Sequence, residues 1–380
     1  MAETVLMKGN EALARAAILA GCDGYFGYPI TPQSELLEYM SRELPRAGGV
    51  MIQAESELAA INMVYGAAGA GGRVMTSSSS PGISLMQEGL SYIASAELPC
   101  LVVNVNRGGP GLGTIQPAQG DYFQATKGGG HGDYRLIVLA PSSVQEMADF
   151  AYLGFDLADK YRNPVMILAD GALGQMMEKV TFPDYDPQEH KQPKPWATTG
   201  KTPDRERNII TSLHIQPEKM EQINLRLQEK YRRMETEEVR WEETQTEDAE
   251  ILLVAYGLAA RIGRKVVELA RDKGRRVGLL RPITLYPFPR RPLARLALGV
   301  PASGSPGQVK LILTVELNAG QMVEDVRLAV EGRVPVAFYG RMGGMIPSPE
   351  EVLGQLGKIL DDTPPGETEP AVRELEAVRP

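Results

Sequence analysis

The chain of 380 residues is poor in the side chains that build redox and metal centres, with two cysteines, three histidines and two tryptophans. Cys22 and Cys100 stand far apart and no C-x-x-C occurs, so the chain cannot by itself hold an iron–sulfur cluster or a cysteine-rich zinc site. Both cysteines lie beside apolar segments and read as buried free thiols. His131, His190 and His214 would need long-range convergence to bind a metal, and no metal site is expected. Basic excess is missing too. A net charge of -8 and a pI near 5.2 exclude a sequence-independent hold on nucleic acid. No apolar run reaches about 18 residues, and the N-terminal "MAETVLMKGNEALARAAILAG" carries acids and a helical period where a signal peptide has a basic start. No membrane partner is expected, and the cytoplasm is the expected compartment.

Common catalytic signatures are absent as well. There is no G-x-x-x-x-G-K-[ST] phosphate loop and no G-x-S-x-G elbow. "AAGAGGR", Ala67 to Arg73, follows a helical pattern rather than a strand, so its glycines read as a helix end and a turn.

What is present is an ordinary globular composition, 43% hydrophobic and 23% charged, in a chain long enough for two or three domains. Up to residue 184, helical patterns (Gly9 to Ala20, Glu55 to Ala68, Ser84 to Ala96) alternate with apolar strand-like runs (Leu101 to Val105, Val165 to Leu168). Such alternation predicts a parallel sheet covered on both faces. Residues 185–248 form a charged helical linker, with Met220, Ile223, Leu225 and Leu227 spaced through dense charge; it reads as a solvated interdomain helix or as a contact surface for a partner subunit. Residues 249–361 restart the alternation as a smaller α/β domain. Its strands are expected at Ile251 to Ala255, Val277 to Leu280, Leu311 to Val315 and Val336 to Tyr339, with crossover helices at Leu258 to Lys273 and Gln321 to Glu331. Residues 362–380, rich in Pro and Glu, read as a loose tail. The expected fold class is therefore α/β, with two parallel-sheet domains.

Four loops could carry chemistry. In "YFGYPITPQSE", Tyr25 to Glu35, two prolines bracket Thr31 and force Tyr28-Pro29-Ile30-Thr31-Pro32 out of helix into an extended run. In "IQAESELAAI", Glu57 opens a helix, where a carboxylate either caps orphan N–H groups or serves as a partly buried acid. "RVMTSSSSPGISLM" offers hydroxyls and backbone N–H groups before a helix, for capping or for an anion. In "NVNRGGPGLGTIQPAQGDY", Arg107 follows a strand and enters a glycine-rich loop, suited to bidentate capture of a carboxylate or phosphate, or simply exposed.

Taken together and in order, "YPITPQSE", "QAESELAAINMVYGAAGAGGRVMTSSSSPG", "NVNRGGPGLGTIQPAQGDY", "LLRPITLYPFP" and "VELNAGQM" resemble the alpha subunit of the thiamine-diphosphate-dependent 2-oxoacid:ferredoxin oxidoreductases, of the 2-oxoisovalerate (branched-chain) or 2-oxoglutarate type. The resemblance runs from Gly9 to about Gly357. It implies a pyrimidine-binding domain for thiamine diphosphate over residues 1–184 and a transketolase C-terminal-like domain over 249–361. It further implies a beta subunit holding the cofactor's diphosphate, Mg2+ and a [4Fe-4S] cluster, a ferredoxin-like gamma or delta subunit, and assembly as a dimer of heteromers. The chain agrees by omission, since it has no G-D-G followed downstream by Asn.

By the same resemblance Glu57, with Glu55 as runner-up, holds N1′ of the aminopyrimidine and favours the imino tautomer that deprotonates the thiazolium. Ser80, Pro81 and Gly82 line the cofactor. Thr31 donates its hydroxyl to the 2-oxoacid, Arg107 meets the carboxylate, and Tyr28, Pro29 and Ile30 flank them. The implied reaction is oxidative decarboxylation of a 2-oxoacid with CoA to an acyl-CoA, CO2 and reduced ferredoxin, with the branched-chain substrate favoured over 2-oxoglutarate. Two other readings stand beside it: a non-catalytic assembly or regulatory subunit of the same fold, and a transketolase-like or 2-oxoacid dehydrogenase-type subunit.

Overall fold

The computed structural model describes residues 3–201, 203–298 and 309–361. The expected loose tail, 362–380, lies outside them. The strands run in chain order β1 (Glu3–Lys8), β2 (Gly24–Gly27), β3 (Val50–Gln53), β4 (Val74–Ser78), β5 (Cys100–Asn106), β6 (Ile137–Leu139), β7 (Pro164–Asp170), β8 (Met177–Phe182), β9 (Trp241–Thr244), β10 (Ile251–Val254), β11 (Val277–Pro282), β12 (Thr284–Tyr286), β13 (Leu311–Glu316) and β14 (Val336–Gly340).

β2 to β7 form a parallel sheet in the order β6-β7-β5-β4-β2-β3. Every residue of β4, β5 and β7 is buried, as expected of strands with helices on both faces. Alternation along β5 makes the two layers: Leu101, Val103 and Val105 join the core under helices Gly9–Leu19 and Val144–Tyr161. Val102 points the other way, into the core under helices Glu57–Gly69 and Ser80–Ser95. A second sheet, β14-β13-β10-β11-β9, is parallel except for β9. The α/β class with two sheets is as the sequence indicates.

Three arrangements were not visible in local periodicity. β12, from the C-terminal part of the chain, adds antiparallel to β6 and makes the first sheet seven-stranded. Conversely, β9 from the linker adds to the second sheet. β1 pairs β8 from the far end of the first region. Each of the two larger sheets thus takes an edge strand from outside its own region, and the two share one continuous core, in which Val102 and Met166 of the first join Leu252, Leu280 and Ile312 of the second.

The solvated-helix reading of the linker needs correction. Helix Pro217–Glu237 buries Ile223, Leu227, Tyr231 and Met234, one stripe at helical spacing, in the first region's core. At about 1.5–3 kcal/mol per buried apolar side chain, that stripe docks the helix while its charged face stays in water. Leu225, also counted in the pattern, lies on the opposite face and is exposed. Cys22 and Cys100 are both buried, and burial pushes each thiol up to about 12. Among the described residues no helix is long and apolar enough to cross a membrane.

Candidate functional site

From β2 the chain runs outward to β3 through helix Ser34–Glu43, then returns through helix Glu57–Gly69 to β4 on the other side of β2. This reversal of direction opens a crevice beyond the carboxyl ends of β2 and β4, the place where open α/β sheets bind ligands. The loops after β2, β3, β4 and β5 all meet there.

The first of them departs from β2 without helix, as its prolines require, but turns at Thr31-Pro32, where the Gln33 N–H donates to Ile30 O at 3.1 Å. The run is thus extended only as far as Ile30. Side chains from distant elements hold it. Asn10 Nδ2 and Gln175 Nε2 donate to Pro32 O at 2.8 and 3.3 Å, and Gln33 Oε1 accepts from Ser77 Oγ of β4 at 2.6 Å. Ser77 Oγ in turn lies 2.8 Å from the buried Tyr25 hydroxyl. Thr31 is left exposed at the tip, its hydroxyl without a partner among the described residues, with Tyr28 and Pro29 exposed beside it and Ile30 half-buried.

The sequence pattern started the next helix at Glu55; it starts at Glu57, because Ser56 is the N-cap and accepts from the Ala59 N–H at 3.2 Å. That choice separates the two glutamates. Glu55 is exposed before the cap, whereas Glu57 is 5% exposed and turned toward β4, with Oε1 accepting a long hydrogen bond from Ser78 Oγ at 3.4 Å.

The helix expected from Ser84 begins earlier, at Ser80, because Pro81 sits in the first turn, where its missing N–H costs nothing. Ser80 Oγ accepts from the Arg107 N–H at 3.1 Å and lies 3.2 Å from Asn106 Oδ1, so it locks this helix to the end of β5. Ser79, the N-cap, makes no side-chain cap, and its buried hydroxyl has no partner among the described residues. Pro81 is half-buried and Gly82 buried. A Cβ at Gly82 would stand 2.0 Å from Ser78 Oγ and 2.4 Å from Glu57 Oε1, so glycine here lets the Glu57 carboxylate and the Ser78 hydroxyl pack directly against the helix backbone.

Arg107 leaves β5 toward Thr31. Its Nη1 donates to Thr31 O and its Nη2 to Leu112 O, each at 2.9 Å, while Nε is buried with no partner among the described residues. The guanidinium thereby ties the Thr31 loop to the glycine-rich loop, and each Nη keeps one further N–H. Sequence reasoning brought Thr31, Glu57, Gly82 and Arg107 to one crevice. It missed Asn10, Gln33, Ser77, Ser78, Asn106 and Gln175, which position them and carry no local signal.

Asp170, at the end of β7, is buried and accepts from the N–H groups of Ala172 and Leu173 at 2.9 and 3.1 Å. Burial outweighs those bonds and raises its carboxyl to about 6. It borders the second domain, near Gly257.

The model of the family described as "Pyruvate flavodoxin/ferredoxin oxidoreductase, thiamine diP-bdg" matches residues 15–245, and that of "Pyruvate:ferredoxin oxidoreductase core domain II" matches 249–352. The chain belongs to the 2-oxoacid:ferredoxin oxidoreductases. It is an alpha-type subunit, and the enzymes of this family act with other subunits. It is 52% identical over 360 residues to the ketoisovalerate oxidoreductase subunit VorB of Methanothermobacter thermautotrophicus, covering 95% of this chain and 99% of that one. Identity to the 2-oxoglutarate synthase subunit KorA of Methanocaldococcus jannaschii is 39% over 368 residues, covering 91% and 97%. Among solved structures, the 2-oxoglutarate:ferredoxin oxidoreductase from Magnetococcus marinus with 2-oxoglutarate, coenzyme A and succinyl-CoA bound superposes with a TM-score of 0.82 at 28% identity. That likeness covers 93% of this chain and 65% of the other.

Proposed function

We propose that this chain is the alpha subunit of a branched-chain 2-oxoacid:ferredoxin oxidoreductase, which converts 2-oxoisovalerate and CoA to an acyl-CoA, CO2 and reduced ferredoxin. The family supports the reaction class, and the relative named for ketoisovalerate, at 52% identity against 39% for the one named for 2-oxoglutarate, supports the substrate. The observation that carries the reading is the buried, sparsely bonded Glu57 carboxylate packed against Gly82, with Thr31 and Arg107 joined at the mouth of the same crevice.

These residues fit an aminopyrimidine. Among the described residues the buried Glu57 carboxylate has one long hydrogen bond, from Ser78, and so keeps acceptor capacity for a ring nitrogen, while the absence of a Cβ at Gly82 lets it sit close against the helix start. Residues 1–184 are the pyrimidine-binding domain in this reading. Glu57 would hold the ring and accept or return its proton; Ser80, Pro81 and Gly82 would wall it in. Thiamine diphosphate, when bound, supplies the nucleophilic carbon and the electron sink for loss of CO2. Thr31 Oγ1, held at a fixed tip, donates to the substrate carboxylate with little ordering left to lose. The free N–H groups of Arg107 offset its charge. Two neutralised contacts are enough, since a site that bound the carboxylate tightly would resist losing it.

Two cysteines cannot ligate a cluster, so the [4Fe-4S] cluster, with Mg2+ and the diphosphate contacts, is assigned to a beta subunit. An exposed apolar rim around the crevice, Leu58, Leu85, Leu112 and Ile115, suits that subunit's docking. A ferredoxin-like gamma or delta subunit and a dimer of heteromers complete the proposal.

The test is the assembled complex with CoA and a viologen acceptor, offered 2-oxoisovalerate, 2-oxoglutarate and pyruvate. Highest kcat/KM with 2-oxoisovalerate is expected. A preference for 2-oxoglutarate would overturn the substrate, and no reduction with any of the three would overturn the reaction.

A further inference from the structure

A cavity of about 830 Å3 lies between β12, the C-terminal turns of helix Pro217–Glu237, the end of helix Tyr122–Lys127 and the start of helix Met322–Val330. β12 is the opposite edge of the seven-stranded sheet from β2 and β3, five strand spacings from β2, or roughly 24 Å at ordinary spacing. The crevice of Glu57 does not extend to it.

Its charge is the reverse of the protein's. Lys127, Arg135, Arg232, Arg290, Arg291 and Arg295 line it against two carboxylates, Glu235 and Asp325, in a chain whose net charge is -8. Some of the cations are occupied. Lys127 Nζ donates to Asp325 at 2.6 Å, Arg290 lies 3.5 Å from the same carboxylate, and Arg295 pairs with Glu243. Arg232 and Arg291 have no side-chain partner among the described residues, and the buried Nε of Arg295 has none either. Like charges gathered with two guanidiniums unspent favour an anion that can take bidentate hydrogen bonds. Aromatic surface lies in the same cavity: Trp241, 38% exposed, and Tyr286, which already stacks under Arg135 at 5.9 Å. The volume is that of a cleft for a single small ligand rather than a docking face for a protein.

We infer that this cleft binds a phosphate-bearing nucleotide, its phosphates on Arg232 and Arg291 and its base against Trp241. A free nucleotide here is independent of the proposed reaction, whereas the CoA form of the ligand rests on that reading, which consumes CoA. The ligand chemistry is shared by free adenine nucleotides and by the nucleotide end of CoA, which the experiment separates.

The full-length chain carrying Trp196→Phe leaves Trp241 as its sole tryptophan, so fluorescence quenching reads the cleft directly. Saturable quenching by ATP is expected. Titration with CoA tells the two sources apart: tighter binding than ATP names the CoA nucleotide, weaker binding names a free nucleotide, and either supports the site. Arg232→Ala with Arg291→Ala should weaken binding by roughly a hundredfold, two charge-assisted hydrogen bonds being lost. Trp241→Leu, read by calorimetry, should weaken it on its own and guards against misfolding of the double variant. No saturation by ATP or CoA, equal competition by inorganic pyrophosphate, unchanged affinity in the double variant, or loss of binding when the complex is assembled would each overturn the inference.

Discussion

Gly82 and Gly66 give the same substitution two opposite outcomes. Both lie in helices, where alanine is favoured over glycine by about 0.5–1 kcal/mol. At Gly66 a Cβ would meet nothing within 4 Å, so Gly66→Ala should stabilise by about that amount. At Gly82 the same Cβ would lie 2.0 Å from Ser78 Oγ and 2.4 Å from Glu57 Oε1. Ordinary contact needs about 3.5 Å, so both atoms must retreat by more than about 1 Å. Ser78 is fully buried in β4 and Glu57 is 5% exposed, which leaves them little room. Overpacking of this kind costs about 1–3 kcal/mol, so Gly82→Ala should destabilise by on the order of 1 kcal/mol after the helical gain is set against it. The two variants should therefore differ by about 2 kcal/mol in urea unfolding monitored by far-UV circular dichroism. In the assembled enzyme Gly82→Ala should also lower thiamine diphosphate affinity by about tenfold or more, because the carboxylate it displaces is the proposed cofactor contact. A Gly82→Ala chain as stable as Gly66→Ala, with normal cofactor affinity, would refute the reasoning.

Asp170→Asn should change the pH dependence of stability. Burial lifts the folded carboxyl to about 6, above its unfolded value of about 3.9, so this group favours folding at low pH and that contribution is lost as pH rises through 6. Asparagine keeps an oxygen for Ala172 and Leu173 without the charge, so the variant should gain on the parent by up to about 3 kcal/mol between pH 4 and pH 7; a pH-independent difference in urea midpoints would contradict this. Thr31→Ala should leave unfolding within about 0.5 kcal/mol, since Thr31 is exposed and Arg107 and Gln33 hold the loop through backbone oxygens. Its kcat/KM should fall by about tenfold, one hydrogen bond's worth, and equal losses of stability and turnover would reduce the stretch to a turn.

Much of the crevice is legible in the sequence because it is made of short-range chemistry. Pro29 and Pro32 bar helix on either side of Thr31, and Glu57 lies in the first residues of an apolar helical pattern, so local chemistry marks both positions, while the family resemblance chose the acid over the cap. What distinguishes Glu57 from Glu55 is also local: the cap is Ser56, and the residue before it faces solvent. The supports of the site are another matter. Asn10, Gln175 and Ser77 reach the Thr31 loop from three separate elements, and polar residues on a helix or strand carry no mark of a partner far along the chain. The same limit hid β12 on the edge of β6 and β1 on β8, since three to six residues of strand pattern do not name their neighbour. The linker helix misled for a different reason. Its dense charge suggested solvent, yet four side chains at helical spacing were enough to dock it.

The central claim is that Glu57, and not the exposed Glu55, is the acid of this site. Turnover of 2-oxoisovalerate by the assembled complex, measured for Glu57→Gln and Glu55→Gln side by side, tests it most directly. Glu57→Gln should lower kcat by about a hundredfold or more while the complex still assembles, and Glu55→Gln should stay close to the parent. Near-normal turnover by Glu57→Gln, or a collapse confined to Glu55→Gln, would contradict the account.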